Sequence, residues 1–153
     1  MKRLVAAAVL IGALSLSLGG LAVAAEKMCG EVVCRGTNGK DLLIGTNGKD
    51  RIFGRGGPDT IHPREGSDYA SGGDGDDLLR GAPGNDRLFG NMGRDKLRGK
   101  PGIDRMYGGA GDDDMHGSLD GERDYFYCGD GQDYVLPGPD DVVAEDCEVV
   151  DRG

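Results

Sequence analysis

Aspartate recurs at a fixed spacing of nine residues through the middle of this 153-residue chain. From Gly36 to His116 the sequence divides into nine consecutive blocks of nine residues, and each block carries Gly at its fourth position and Asp at its sixth. The sixth-position aspartates are Asp41, Asp50, Asp59, Asp68, Asp77, Asp86, Asp95, Asp104 and Asp113. Carboxylates in such a series could act as paired acid and base groups, or they could supply hard oxygen ligands to a divalent cation.

The elements that must position these carboxylates are short strands. The last three residues of each block are expected to point out, in and out, which is a minimal strand with one buried side chain. The inward, eighth position is always apolar, as Leu43, Ile52, Ile61, Ala70, Leu79, Leu88, Leu97, Met106 and Met115 show. A short fixed period of this kind predicts a solenoid, in which each repeat buries its apolar side only by stacking on its neighbours.

Glycine at the first, second and fourth positions of a block favours a tight turn. Glycine adopts positive φ readily, so six residues can turn with their carbonyl groups facing inward beside the sixth-position carboxylate. Ca²⁺ takes about 6–8 oxygen ligands, which one turn cannot supply and two stacked turns can. Arg55, Asn91 and Lys100 replace the second-position glycine, and Pro63 and Arg64 interrupt one block. We therefore expect the sites that border residues 63–71 to be the weakest.

Two blocks, GGDGDDLLR at 72–80 and GGAGDDDMH at 108–116, match the pattern GGxGxDxUx completely, where U is a large apolar residue. This pattern is the RTX nonapeptide, and from Gly36 to about Leu136 the chain resembles the hemolysin-type calcium-binding repeat family. The resemblance implies an all-β parallel β-roll, a β-helix solenoid with 18 residues per coil, in which Ca²⁺ ions bind between the turns of alternate repeats. It places Asp41, Asp59, Asp77, Asp95 and Asp113 on one edge.

The other edge then carries Asp50, Asp68, Asp86 and Asp104, and Asp124 could extend it. Counting adjacent pairs on both edges gives up to about seven Ca²⁺ ions. The register slips at the irregular segment 117–127, after which residues 128–136 regain the full pattern and add Asp133 as a metal ligand. Because stacked carboxylates repel one another, by about 3 kcal/mol for a pair at 5 Å, we expect the array to fold only on binding Ca²⁺.

The two ends of the chain differ from the array. Lys2 and Arg3, an apolar run at 4–18 and Val23-Ala24-Ala25 predict a cleaved signal peptide at 1–25, the alternative being an uncleaved anchor. The sequence then predicts an N-terminal cap at 26–35, the repeat array at 36–136 and a C-terminal cap at 137–153. Removal of Lys2 and Arg3 takes the formal net charge from −9 to −11. Such an acidic chain repels phosphate, which argues against nucleic acid as a partner.

Four cysteines in an exported chain predict disulfides, and three pairings are possible. We favour Cys29–Cys34 and Cys128–Cys147, because the members of each pair flank the array on the same side. These bridges would staple the two caps. The sequence therefore predicts a secreted protein, extracellular or at the cell surface, with no membrane span once the signal is removed.

The seventh and ninth positions of the even-numbered repeats would form an outward Arg/aromatic face. Its candidate partner-binding residues are Arg51, Phe53, Arg87, Phe89, Arg105 and Tyr107. We favour cross-strand packing that supports a thin sheet as the role of this face. The alternative is a surface that binds a cell-surface glycan, the cell wall or another protein.

No catalytic motif is present: the sequence lacks GxSxG, HExxH and GxxxxGK[ST]. His62 and His116 fall at the ninth position, where a solvent-facing imidazole is expected. We therefore predict a non-enzymatic calcium-binding repeat protein that serves as a structural or surface module. A calcium-dependent adhesin is the second interpretation, and a hydrolase is a distant third.

Overall fold

The computed structural model describes residues 25–29 and 33–152. Over these ranges the chain forms fifteen β-strands and no helix. Accordingly, no described helix has the length and apolar character needed to cross a membrane. The predicted signal peptide lies outside the described residues, except for Ala25, which begins the first strand.

The strands alternate between two parallel sheets along the chain. The eight-stranded sheet holds β1 (Ala25–Met28), β3 (Asp41–Ile44), β5 (Thr60–His62), β7 (Leu78–Arg80), β9 (Lys96–Arg98), β11 (Asp114–His116), β13 (Tyr134–Leu136) and β15 (Val149–Val150). The seven-stranded sheet holds β2 (Val33–Arg35), β4 (Arg51–Gly56), β6 (Tyr69–Asp74), β8 (Arg87–Met92), β10 (Arg105–Ala110), β12 (Tyr125–Asp130) and β14 (Val142–Val143). Each strand pairs with the strand two places along, so Leu43 lies beside Ile61 and Leu79 beside Leu97. The predicted parallel β-roll is therefore confirmed.

The core is a single file of eighth-position side chains between the two sheets. The nine predicted core residues are 0% exposed, and Phe126 and Val135 continue the series. Flanking side chains of each strand point outward, as the period of two requires. Ala70 is the smallest member and lies between Ile52 and Leu88 in the sheet register.

The irregular segment 117–127 is absorbed without loss of strand register. Its two extra residues fall in the turn before β12, so Met106 still lies beside Phe126, 20 residues away instead of 18. Insertions are tolerated in a turn because the ladder hydrogen bonds of the strands are left intact.

Both ends of the roll are closed by a disulfide and by extra strands. Cys29–Cys34 and Cys128–Cys147 join Cα atoms that are 5.4 and 5.1 Å apart, which confirms the pairing favoured from the sequence. Cys34 lies beside Ile52 in the sheet, so the first bridge continues the core file. Downstream of residue 136, β14 and β15 add one strand to each sheet.

Candidate metal centre

The sixth-position aspartates form two columns, one along each edge of the roll. The backbone N–H of each aspartate donates to Oδ1 of the aspartate one coil further on, at 2.7–2.9 Å. One column holds Asp41, Asp59, Asp77, Asp95, Asp113 and Asp133, and the other holds Asp50, Asp68, Asp86, Asp104, Asp124 and Asp141. The structure thus brings together all ten aspartates proposed as ligands. All twelve are buried.

Asp141 was missed from the sequence because it lies beyond the recognisable repeats. It is 8% exposed, and its Oδ1 accepts a hydrogen bond of 2.8 Å from the backbone of Asp124. The spacing between Asp141 and Val143 could have identified it, because in every repeat an apolar residue follows the aspartate by two positions.

The second carboxylate oxygen, Oδ2, divides the aspartates into two groups. In eight of them Oδ2 is buried and has no hydrogen-bond partner among the described residues. These are Asp59, Asp68, Asp77, Asp86, Asp95, Asp104, Asp113 and Asp133. An unpaired buried carboxylate oxygen is unfavourable, because it has lost water without gaining another partner. Eight such atoms among the described residues fit the binding of a positively charged ligand.

The space beside these oxygens is kept open by the first-position glycines. A Cβ atom built on Gly81 would lie 2.6 Å from Asp86 Oδ2 and would overlap the carbonyl oxygen of Gly99, on the next coil. A Cβ on Gly90 would meet Asp95 Oδ2 and, at 2.6 Å, the carbonyl oxygen of Gly108. A carboxylate oxygen of one turn and a carbonyl oxygen of the next therefore surround the same small volume. Oxygen ligands drawn from two turns suit Ca²⁺.

The backbone at the second position of each turn correlates with the state of Oδ2. We call a turn open where this residue has positive φ, and the second-position residues of the open turns are Arg55, Arg64, Gly73, Ala82, Asn91, Lys100, Gly109 and Gly129. These eight open turns are the same eight turns in which Oδ2 of the aspartate has no hydrogen-bond partner among the described residues.

Four turns instead have no positive φ at this position, and we call them closed. Their second-position N–H donates to Oδ2 of the same turn, and the four pairs are Thr37 with Asp41, Thr46 with Asp50, Ser118 with Asp124 and Gly138 with Asp141. The chain itself therefore satisfies Oδ2 in closed turns and leaves it unsatisfied in open ones.

Nine of the twelve column aspartates have a pKa above the ordinary value and so hold protons more tightly. Burial is the largest cause, and the neighbouring carboxylate in the column adds to it, while the hydrogen bond to Oδ1 opposes both. Together they raise the pKa of Asp77 and Asp86 to about 7 and that of Asp104 to about 8. The pKa of Asp95 is likewise raised to about 7. The fully charged form of the columns is thus unfavourable near neutral pH, and a bound cation would offset the repulsion between the carboxylates.

The outward Arg/aromatic face is a continuous stack of rings. Successive ring centroids from Phe53 through Tyr69, Phe89 and Tyr107 to Tyr127 are 5.5, 4.9, 4.5 and 4.7 Å apart. Tyr69 comes from the seventh position and lies between two ninth-position rings, because the ninth position of its own block is a serine.

The arginines of this face are placed against the rings. The guanidinium of Arg51 lies 5.8 Å from the rings of both Phe53 and Tyr69, and that of Arg105 lies 5.0 Å from Tyr125. The six residues predicted for the face therefore share one outer surface, and much of it is self-packed.

Comparison with known families agrees with this geometry. The model of the RTX calcium-binding nonapeptide repeat (4 copies) matches residues 35–70, 63–97 and 89–121, which together span more than half of the chain. No curated protein and no solved structure matches the chain in the other two comparisons. The matched residues carry seven of the eight open turns. The chain belongs to the RTX calcium-binding nonapeptide repeat family.

Proposed function

We propose that this protein is a secreted calcium-binding module whose repeat array folds when several Ca²⁺ ions bind between its stacked turns. The observation that carries the proposal is the set of eight buried, unpaired Oδ2 atoms. Asp59, Asp77, Asp95, Asp113 and Asp133 would supply ligands on one edge, and Asp68, Asp86 and Asp104 on the other. When bound, Ca²⁺ supplies positive charge and accepts electron pairs from six to eight oxygens.

The fold provides the remaining oxygen ligands. Turn carbonyl groups, such as those of Gly72, Gly99 and Gly108, lie next to the first-position glycine of the preceding coil. Neutral carbonyl oxygens add ligands without adding repulsion between carboxylates. A site of this kind, at the edge of a roll, is expected to bind with the dissociation constant of about 10⁻⁴–10⁻³ M that is typical of extracellular modules.

Secretion fits the two disulfides, which form and persist in oxidising compartments. It also fits a low-affinity calcium site, because millimolar calcium is an extracellular condition. The predicted signal peptide at 1–25 is the sequence feature that would direct export. Detection of the protein in culture medium, beginning at Glu26, would support this part of the proposal.

Non-enzymatic action is part of the proposal. His116 lies between Asp114, whose Oδ1 is 2.5 Å from Nε2, and Arg98, whose guanidinium is 3.1 Å from Nδ1. Both imidazole nitrogens are therefore engaged, one by Asp114 of the same strand and one by Arg98 of the neighbouring strand, which suits a packing role. The aspartate columns are assigned to metal binding and not to acid–base catalysis.

Calcium titration of the metal-free chain tests the function. The protein, freed of metal with a chelating resin at pH 7.5, is expected to lack the circular dichroism of β-structure and to gain it as calcium reaches millimolar concentration. Calorimetry of the same titration gives the number of ions and the folding enthalpy. Mg²⁺ is the control, because it prefers a smaller octahedral site and retains its waters. A chain with full β-structure in chelator, or one that binds no calcium, would refute the proposal.

A second candidate function is calcium-dependent binding of an anionic glycan by the Arg/aromatic face. The two salt bridges between described residues involve Arg94 and His116, and neither involves Arg51, Arg87 or Arg105. Three arginines without a carboxylate partner on one face of an acidic protein favour an anionic ligand. The ring stack would hold them in a row.

A charge-matched pair of variants tests this second function. Arg51→Glu/Arg87→Glu changes the face, and Arg80→Glu/Lys96→Glu makes the same change in net charge on the outer surface of the other sheet. With calcium present, only the first variant should lose retention on a column of carboxylated polysaccharide. Equal losses in both variants would indicate a net-charge effect, and no retention of the wild type would exclude this ligand class.

A further inference from the structure

We infer that the backbone conformation at the second position of each turn decides whether that turn accepts calcium, and that Thr37 and Thr46 close the first coil of the array to the ion. The inference rests on the proposed calcium binding and concerns which turns take part in it. It departs from the sequence-based expectation, in which Asp41 and Asp50 are metal ligands like the other aspartates.

The closed turns already give Oδ2 the partners that a cation would provide. Asp41 Oδ2 accepts hydrogen bonds from the backbone N–H of Thr37 at 2.5 Å and from its hydroxyl at 2.9 Å. Asp50 Oδ2 accepts the same two bonds from Thr46, at 2.7 and 3.0 Å. A calcium ion at either oxygen would have to displace two donors, one of them fixed in the backbone.

The threonine hydroxyl also locks the shape of the closed turn. Thr37 Oγ1 accepts a hydrogen bond of 3.1 Å from the backbone N–H of Gly39, and Thr46 Oγ1 accepts one of 3.2 Å from Gly48. Neither glycine has positive φ, unlike the fourth-position glycines of the open turns. Threonine is β-branched and strongly disfavours positive φ, so its presence at the second position selects the closed form.

The open turns hold a strained backbone that neighbouring coils support by strand pairing, as between Arg55 and Gly73, but that leaves Oδ2 without a hydrogen-bond partner among the described residues. Arg55, Arg64, Ala82, Asn91 and Lys100 all have positive φ, although each carries a Cβ. Rotation to the closed form would relieve this strain and pair Oδ2 with a backbone N–H, as in the terminal turns. That the open form is kept at eight turns is explained if Oδ2 is reserved for a ligand.

The distribution of the two forms closes the first coil on both edges, whereas at the C-terminal end it closes only the edge of Asp124 and Asp141, because the turn of Asp133 is open. The closed turns lie at residues 36–41 and 45–50 at one end, and at 117–124 and 137–141 towards the other. The first coil also adjoins the Cys29–Cys34 bridge. Calcium is thus excluded from the first coil, which is held by hydrogen bonds and a disulfide.

Counting bound ions in two pairs of variants tests the inference on the full mature chain. Asp41→Asn/Asp50→Asn should bind as many calcium ions as the wild type by equilibrium dialysis and calorimetry. Asp77→Asn/Asp95→Asn, the matched pair in open turns, should bind fewer. Asparagine keeps one oxygen acceptor, which can retain the ladder bond at positions 77 and 95, and replaces the other oxygen by an uncharged NH2 group. Circular dichroism in excess calcium checks that each variant folds.

The converse experiment opens the closed turns. Thr37→Gly/Thr46→Gly should raise the number of bound ions by about two, because each newly open turn offers one free Oδ2. Thr37→Ser/Thr46→Ser is the control and should leave the number unchanged, since serine keeps the hydroxyl. A lower count for Asp41→Asn/Asp50→Asn, or no gain in the folded glycine variant, overturns the inference while calcium binding stands. A wild type that binds no calcium overturns both.

Discussion

The backbone N–H of Asp77 donates a hydrogen bond of 2.8 Å to Oδ1 of Asp95, 18 residues further along the chain. Oδ2 of Asp95 has no partner and lies beside Gly90 in its own turn. One carboxylate therefore has two separate roles. Oδ1 joins neighbouring coils through the chain alone, and Oδ2 is available to a cation. The strict period of the aspartates serves both roles. An aspartate shifted by one residue would lose the Oδ1 hydrogen bond between coils and would also remove Oδ2 from the proposed cation site.

Substitution of a first-position glycine should close a calcium site by filling it. In Gly81→Ala the new Cβ would lie 2.6 Å from Asp86 Oδ2 and would overlap the carbonyl oxygen of Gly99. We expect a loss of about 1–3 kcal/mol of stability in calcium, as in other overpacked sites, and fewer bound ions. Urea unfolding at saturating calcium measures the first effect and calorimetry the second.

Gly39→Ala is the matched control for Gly81→Ala. The nearest heavy atom to its Cβ would be Thr37 Oγ1 at 3.9 Å, and Gly39 does not have positive φ. Its stability should stay within about 0.5 kcal/mol of the wild type. Equal losses of stability and of bound calcium in the two variants would contradict a calcium site beside Asp86.

The single-file core makes each eighth-position side chain important. Leu88 is fully buried and lies between Ala70 and Met106 in the sheet register. Leu88→Ala should cost about 2–5 kcal/mol, towards the upper end because Ala70 cannot fill the cavity. Leu119→Ala is the control, since Leu119 is 86% exposed, and should change stability by about 0.5 kcal/mol or less. Thermal unfolding in calcium measures both, and a small loss for Leu88→Ala would contradict the single-file core.

Much of the fold could be predicted from the sequence because the determining patterns are local and repeated. The nine-residue period fixes the stacking, and the alternation around residues such as Leu79 and Leu97 fixes which side chains are buried. The disulfides were predictable because the cysteines lie outside the array, where short pairings close each end. Family resemblance supplied the two-sheet arrangement, which the period alone leaves open.

The division into open and closed turns was not predicted, because it depends on contacts between coils. Arg55 and Lys100 occupy the same sequence position as Thr37, yet only the threonine turn is closed. Stacking on the neighbouring coils holds Arg55 and Lys100 at positive φ despite their Cβ atoms. A readable signal did exist in the identical GTNGKD segments at 36–41 and 45–50, whose β-branched threonine disfavours positive φ.

The Cys128–Cys147 bridge should stabilise the C-terminal end of the roll. It closes a loop with a sequence separation of 19 residues, against 5 for Cys29–Cys34. On the chain-entropy model, Cys128→Ser/Cys147→Ser should cost about 3 kcal/mol and Cys29→Ser/Cys34→Ser about 2 kcal/mol. In Cys128→Ser/Cys147→Ser, hydrogen exchange in the presence of calcium should show reduced amide protection in β14 and β15. Unchanged protection of the hydrogen-bonded amides of Val142 and Val149 in the first variant would contradict a local stabilising role.

The metal-free protein should become more stable as the pH falls. Burial and neighbouring carboxylates raise the pKa of Asp59 and Asp113 to about 6, of Asp77 and Asp95 to about 7 and of Asp104 to about 8. A raised pKa means that the folded state binds protons more tightly than the unfolded state. The resulting stability is fully present below the ordinary pKa of aspartate, about 4, and is lost as the pH rises through 6–8.

Calcium reverses this dependence, because protons and calcium compete for the same carboxylates. Circular dichroism of resin-treated protein should therefore show β-structure at about pH 5 without calcium, and at pH 8 only with calcium. Light scattering must accompany the acid samples, since the isoelectric point is near 4.6. If the metal-free chain remains unfolded at pH 5, repulsion within the aspartate columns is not the main barrier to folding. The requirement for calcium would then lie in the ordering of the glycine-rich turns.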